Sequence, residues 1–205
     1  MRSTINIAAE DRLGIAALER IINSEYRNVE IARILPSARL AGNSPIRARV
    51  ETFKRAAEQG QHFIVLTDLD NGNCPSELLK EWGAHPLPER LLFRVAVREV
   101  EAWLLADRPN MAKLLGIKLA LVDPYPEQLD DPKAALLGLA KKGIKKIQRE
   151  LLPEKGAFGK VGPGYNDVLC AFIEKSWDFR LASSNAPSLG RFLDRLHQFN
   201  LKSPK

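Results

Sequence analysis

Cysteine is nearly missing from this sequence. Cys74 and Cys170 are the only two among 205 residues, and their unrelated contexts exclude a disulfide framework and a CxxC metal site; both are expected to be reduced thiols. No apolar run approaches the roughly 20 residues that cross a bilayer. Met1-Arg2-Ser3-Thr4-Ile5-Asn6-Ile7 lacks the continuous apolar stretch of a signal peptide. The expectation is a cytoplasmic protein without a membrane partner. Internal repeats and low-complexity tracts are missing too. His62, His85 and His197 have no metal-ligand spacing, and nothing resembles a GxSxG nucleophile elbow. What remains is 45% hydrophobic and 27% charged, the composition of an ordinary globular chain. Its length suits one domain with an appendage, or two small ones.

Charge adds direction. Thirty-one Lys and Arg face 25 Asp and Glu, a net charge of +6, with a pI near 9.4. Residues 1–110 hold 15 basic and 15 acidic side chains and residues 111–205 hold 16 and 10, so the whole excess is C-terminal. This raises the expectation of a polyanionic partner, although a solvated helix face is the commoner role of any one lysine cluster.

The N-terminal half alternates. Ile5-Asn6-Ile7-Ala8-Ala9 reads as a strand, and Leu13, Ala17, Leu18, Ile21 and Ile22 recur at helical spacing. Val29 to Leu35 is rich in branched residues and stops before Pro36, as a strand does. Ser44 as N-cap, Pro45 as first helical residue, an apolar stripe at Ile46, Val50, Phe53 and Ala57, and Gly60 as terminator predict a helix. His62 to Thr67 is a continuous apolar run, the pattern of a central strand buried on both faces. Ser76 to Trp82 reads as a short helix, Leu91 to Val97 as a fourth strand, and Arg98 to Asp107 as a helix turning Val100, Trp103 and Leu104 inward. A βαβαβαβα order of this kind predicts an α/β fold, a Rossmann-like parallel sheet flanked by helices, because parallel strands need crossovers. Beyond residue 110 the periodic stretches 132–142, 143–152, 163–177 and 187–200 predict helices. The expected division is therefore an α/β domain over 1–110 and a basic helical C-terminal subdomain over 111–205.

In an open parallel sheet, ligands sit at the carboxyl ends of the strands. Glu10 ends the first strand, Asp68 and Asp70 end the third, and Glu99 and Glu101 open the helix after the fourth. So many carboxylates at one edge repel unless a cation neutralises them, and hard oxygen ligands suit Mg²⁺ or Mn²⁺. Each has a bland role as well. Asp70-Asn71-Gly72-Asn73 is a competent turn, Glu10 suits a helix N-terminus, and helical spacing argues against Glu99 and Glu101 pointing the same way.

A glutamate after the first strand, an Asp-x-Asp after the third and the βαβαβαβ order resemble a Toprim domain, the metal-binding catalytic module of topoisomerases, primases and OLD-type nucleases. Leu66-Thr67-Asp68-Leu69-Asp70, Val97 to Asp107 and Lys160-Val161-Gly162-Pro163-Gly164-Tyr165-Asn166 are similar, more specifically, to a small bacterial family catalogued as a domain of unknown function. The likeness covers nearly the whole chain. It implies Glu10 as general acid/base, Asp68 and Asp70 as holders of the divalent metal, and Glu101 as an additional acidic ligand, with Glu99 in reserve. Toprim domains usually place glycine directly after the glutamate; this chain has Asp11 there and reaches glycine only at Gly14, so Glu10 and Asp11 exchange roles as an alternative.

Cationic residues supply the other half of the expectation. Lys141, Lys142, Lys145 and Lys146 bracket Gly143, and Lys155 and Lys160 flank a glycine-rich loop able to cradle a phosphate. That loop is no P-loop, having two residues between its glycines and no Ser or Thr after the lysine. As alternatives, Pro163 only starts the next helix, and the four lysines only solvate one. The reading is a Mg²⁺- or Mn²⁺-dependent phosphodiesterase, a nuclease acting on DNA or RNA. Its rival is a non-catalytic accessory subunit that binds a partner ATPase.

Overall fold

The computed structural model describes residues 3–35, 46–72, 74–199 and 201. The chain forms two compact units, Met1–Ala96 with Arg191–Lys205, and Val97–Gly190. The boundary expected at residue 110 thus falls inside the second unit, and the C-terminal segment returns to the first.

The first unit is built on four parallel strands, β1 (Ser3–Ala9), β2 (Val29–Leu35), β3 (Phe63–Asp68) and β4 (Leu91–Ala96), in the order β2-β1-β3-β4. The α/β fold with a parallel sheet is as the alternation predicts. Ala9 pairs with Leu66 and Asp68 with Ala96, so β1 and β3 are the inner strands and end side by side. Crossovers run through α1 (Arg12–Glu25), α2 (Val50–Glu58, entered by a 3₁₀ turn at Arg47–Arg49) and α3 (Pro75–Glu81). The Ser44-Pro45 cap expected for α2 lies outside the described residues.

Strand alternation decides what each face buries. Ala8, Phe63, Val65, Leu91 and Phe93 share one cluster with Val50, Phe53 and Ala57 of α2; the Phe53 and Phe63 rings lie 5.5 Å apart, tilted at 45°. The intervening residues Ile5, Ile7, Ala9, Ile64 and Leu66 are also buried, as are Leu13, Ala17, Leu18, Ile21 and Ile22 of α1. Sheet residues covered on both sides explain why β3 reads as an unbroken apolar run.

The second unit is helical: α4 (Val100–Ala106), α5 (Arg108–Leu115), α6 (Pro132–Ala140), α7 (Lys145–Leu151), α8 (Tyr165–Lys175), α9 (Phe179–Ser183) and the start of α10 (Pro187–Gln198). Every residue of α4 is buried, more than the expected inward stripe. The α5 and α9 helices go beyond the periodic stretches, yet each has a local cause. Asp107 caps α5 through the Asn110 N–H and Gly116 ends it at φ 68, while Asp178 caps α9 through the N–H groups of Arg180 and Leu181. No helix among the described residues is long and apolar enough to cross a membrane.

Candidate functional site at the acidic sheet edge

The carboxyl ends of β1 and β3 carry the expected acids. Glu10 follows β1 and is half-buried, Asp68 ends β3 and is half-buried, and Asp70 is exposed two residues on. The Leu69 N–H donates to Ala96 O at 2.9 Å, Asp70 turns at φ 49, and the Gly72 N–H returns to Leu69 O at 2.8 Å. The chain thus leaves the sheet in a tight turn that a short polar side chain tolerates.

Asp11 has a separate task. Its side chain caps α1 by accepting from the Gly14 N–H at 2.8 Å, which leaves Glu10 as the acid facing the strand edge. Gly14 is confined here: a Cβ on it would meet the Ala9 Cβ at 2.8 Å. The late glycine therefore serves close packing of α1 on β1.

Sequence reasoning missed Thr67, whose hydroxyl donates to Glu10 Oε1. Its signal was a lone hydroxyl in an otherwise apolar strand, buried at 1% exposure. Alternation along β3 sets Thr67 and Asp68 on opposite sides of the strand. The side that brings Thr67 to Glu10 is thus not the side of Asp68. Among the described residues, no group of three or more His, Cys, Asp or Glu stands together as a metal cage. The donor chemistry nevertheless fits Mg²⁺, which is commonly bound through one or two carboxylates plus substrate phosphates instead of an all-protein cage.

Glu99 and Glu101 belong to the second unit and are engaged there. Glu99 is the N-cap of α4, extended at φ −148 and ψ 161, so helical spacing does not separate it from Glu101. The two carboxylates converge, contrary to expectation. Lys133 Nζ lies 3.2 Å from Glu101 Oε1 and 3.9 Å from Glu99 Oε1, the Lys133 N–H donates to Glu99 Oε2 at 3.2 Å, and the Tyr165 hydroxyl donates to Glu101 Oε1 at 2.8 Å. Burial and the neighbouring Glu101 charge push the Glu99 carboxyl up, against the pull of Lys133. Glu101, 1% exposed, is held as a buried ion pair, and Lys133 and Tyr165 were invisible to a motif search because they lie far along the chain.

All six candidate lysines are exposed: Lys141, Lys142, Lys145, Lys146, Lys155 and Lys160. Between the last two, Phe158 stands fully exposed. The glycine-rich loop does not offer its later N–H groups to a phosphate. Gly162 N–H donates to Leu151 O at 2.8 Å and Gly164 N–H to Glu150 O at 3.1 Å, fastening the entry of α8 to the end of α7, and Gly164 is the N-cap of α8. The helix-entry role prevails for that half of the loop.

The units also redistribute charge. The first holds 17 basic and 13 acidic residues, net +4, and the second 14 and 12, net +2. The excess that is wholly C-terminal along the chain is thus not confined to the helical unit. No protein-family model, curated protein or solved structure matches this chain.

Proposed function

We propose that the protein is a Toprim-like phosphodiesterase acting on nucleic acid with Mg²⁺ or Mn²⁺. The observation that carries this reading is the placement of Glu10 and Asp68 at the carboxyl ends of neighbouring inner strands, with Asp70 in the turn beyond. Glu10, Asp68 and Asp70 would hold the ion together with phosphate oxygens of the substrate. A divalent ion in such a place supplies stabilisation of charge developing on a phosphate. Glu10 has an ionisable carboxyl suited to accepting or returning a proton, and the Thr67 hydroxyl fixes one of its oxygens. The exposed lysines of the helical unit provide sequence-independent phosphate contacts, and Phe158 offers a ring on which a base stacks.

The test is cleavage of plasmid, single-stranded DNA and RNA by purified protein with Mg²⁺ or Mn²⁺. Wild type should nick or degrade at least one of them, and Glu10→Gln should not, because the amide keeps the shape without the proton acceptor. A second reading is favoured by the lack of a three-ligand group among the described residues: a non-catalytic accessory subunit for a partner ATPase. Nucleic acid left intact by the wild type with either ion, alone and with a genomically neighbouring ATPase, would establish it over the enzyme.

A further inference from the structure

Three arginines gather in the first unit at a place the acidic edge does not explain. Arg94 sits in β4, which pairs with β3 alone among the described strands. Alternation turns it away from Phe93 and its cluster with α2. Its Nε is buried and has no hydrogen-bond partner among the described residues. Arg191 and Arg195 are one turn apart on α10, both exposed. Both press on Arg94 electrostatically: burial and the like charges of Arg195 and then Arg191 push its guanidinium below the ordinary value, and no carboxylate is among the causes.

This arrangement is costly by itself. A guanidinium held out of water wants a hydrogen-bond acceptor, and two further cations close by oppose its charge. A surface arginine free to choose would turn into solvent. The planar fork of arginine matches the oxygens of a phosphate, and several forks sharing one oxyanion remove both the unsatisfied donor and the repulsion.

We propose that Arg94, Arg191 and Arg195 form a binding site for a phosphate oxyanion, with Arg94 as its half-buried floor and the two α10 arginines as its rim. This site is independent of the acidic edge and needs no metal. The oxyanion is either a free or terminal phosphate or a phosphodiester of a nucleic-acid strand.

The experiment measures thermal unfolding of the full chain with EDTA, titrating inorganic phosphate against chloride at constant ionic strength. Wild type should gain melting temperature with phosphate and not with chloride. Arg94→Met should melt higher than wild type without phosphate, because an unpaired buried donor is gone, and its phosphate affinity should fall by about tenfold or more. Should Arg94→Met fold poorly, Arg191→Gln with Arg195→Gln, both on the exposed face, must show the same loss of response. A mononucleotide with a terminal phosphate and an oligothymidylate without terminal phosphates separate the two sources: protection by the first alone assigns a terminal phosphate, and by the second a diester backbone. Equal responses of wild type and both variants to phosphate, or no response beyond chloride in the wild type, would overturn the site. Since EDTA removes divalent ions, neither result bears on nuclease activity.

Discussion

The Tyr165 hydroxyl donates to Glu101 Oε1 at 2.8 Å, joining the first residue of α8 to the first turn of α4. Both residues are almost wholly buried, at 3% and 1% exposure. A carboxylate in that setting is tolerable only while its oxygens are occupied, and Lys133 occupies the same oxygen from another side. The stability of the helical unit therefore turns on this pair.

Tyr165→Phe should cost about 1.5–3 kcal/mol, the range for a hydrogen bond to a charged group. Lys133→Met, which strips the cation from Glu101, should cost about 3 kcal/mol or somewhat less, because the ammonium end is one-third exposed and water partly substitutes for it. Urea unfolding measures both. A Tyr165→Phe protein as stable as wild type would show that Glu101 does not depend on the phenol.

Glu99 should leave a pH signature of unusual sign. Its folded-state pKa is raised, chiefly by burial and then by Glu101, so the folded protein holds this proton more tightly than the unfolded chain. The stabilisation is complete below the ordinary value of 4.5 and is lost as pH rises through the folded-state value. Glu99→Gln should remove that decline. In melting curves from mildly acidic to neutral pH, wild type should lose stability relative to the variant; parallel curves would mean that Glu99 titrates normally.

Two glycines of the helical unit should respond oppositely to alanine. At Gly162 an added Cβ would meet Glu150 O at 2.3 Å and Leu152 O at 2.6 Å, both backbone atoms. Gly162→Ala should therefore destabilise by about 2 kcal/mol or more, in the range of overpacking. At Gly138 within α6 nothing lies within 4 Å of the added atom, and alanine should stabilise by about 0.5–1 kcal/mol through helix propensity. Chemical denaturation of the two variants side by side checks the sign at each site.

Binding to nucleic acid should depend on the lysines in a salt-sensitive way and on Phe158 in a salt-insensitive one. Replacing Lys141, Lys142, Lys145 and Lys146 by glutamine should weaken all sequences alike and flatten the plot of log affinity against log salt, by at most about 0.9 for each phosphate that is no longer neutralised. Phe158→Ala should keep the slope and cost single-stranded ligands about 1–3 kcal/mol for each base stacked. Fluorescence anisotropy over a range of salt concentrations separates the two. An unaltered slope in the quadruple variant assigns those lysines to solvation alone.

The sequence by itself determined the four strands, their parallel order and most helices, because these follow from local pattern. Branched and apolar runs of strand length, the 3.6-residue stripe from Leu13 to Ile22, and the turn after Asp70 are properties of neighbouring residues. Even α5 and α9 were written locally, in the Asp107 and Asp178 caps, and escaped a reading by periodicity because their apolar stripes are short. The placement of Glu10, Asp68 and Asp70 at the strand ends was legible for the same reason. Tertiary structure decided whom those acids face. Thr67 reaches Glu10 because β3 lies beside β1, Glu101 is claimed by Lys133 and Tyr165 from distant helices, and Arg191 and Arg195 come to Arg94 only because the C-terminal segment belongs to the first unit. A charge count along the chain could not anticipate this. Side chains pair through space, and the pairing partner of a buried charge is set by chain crossings that no local pattern encodes.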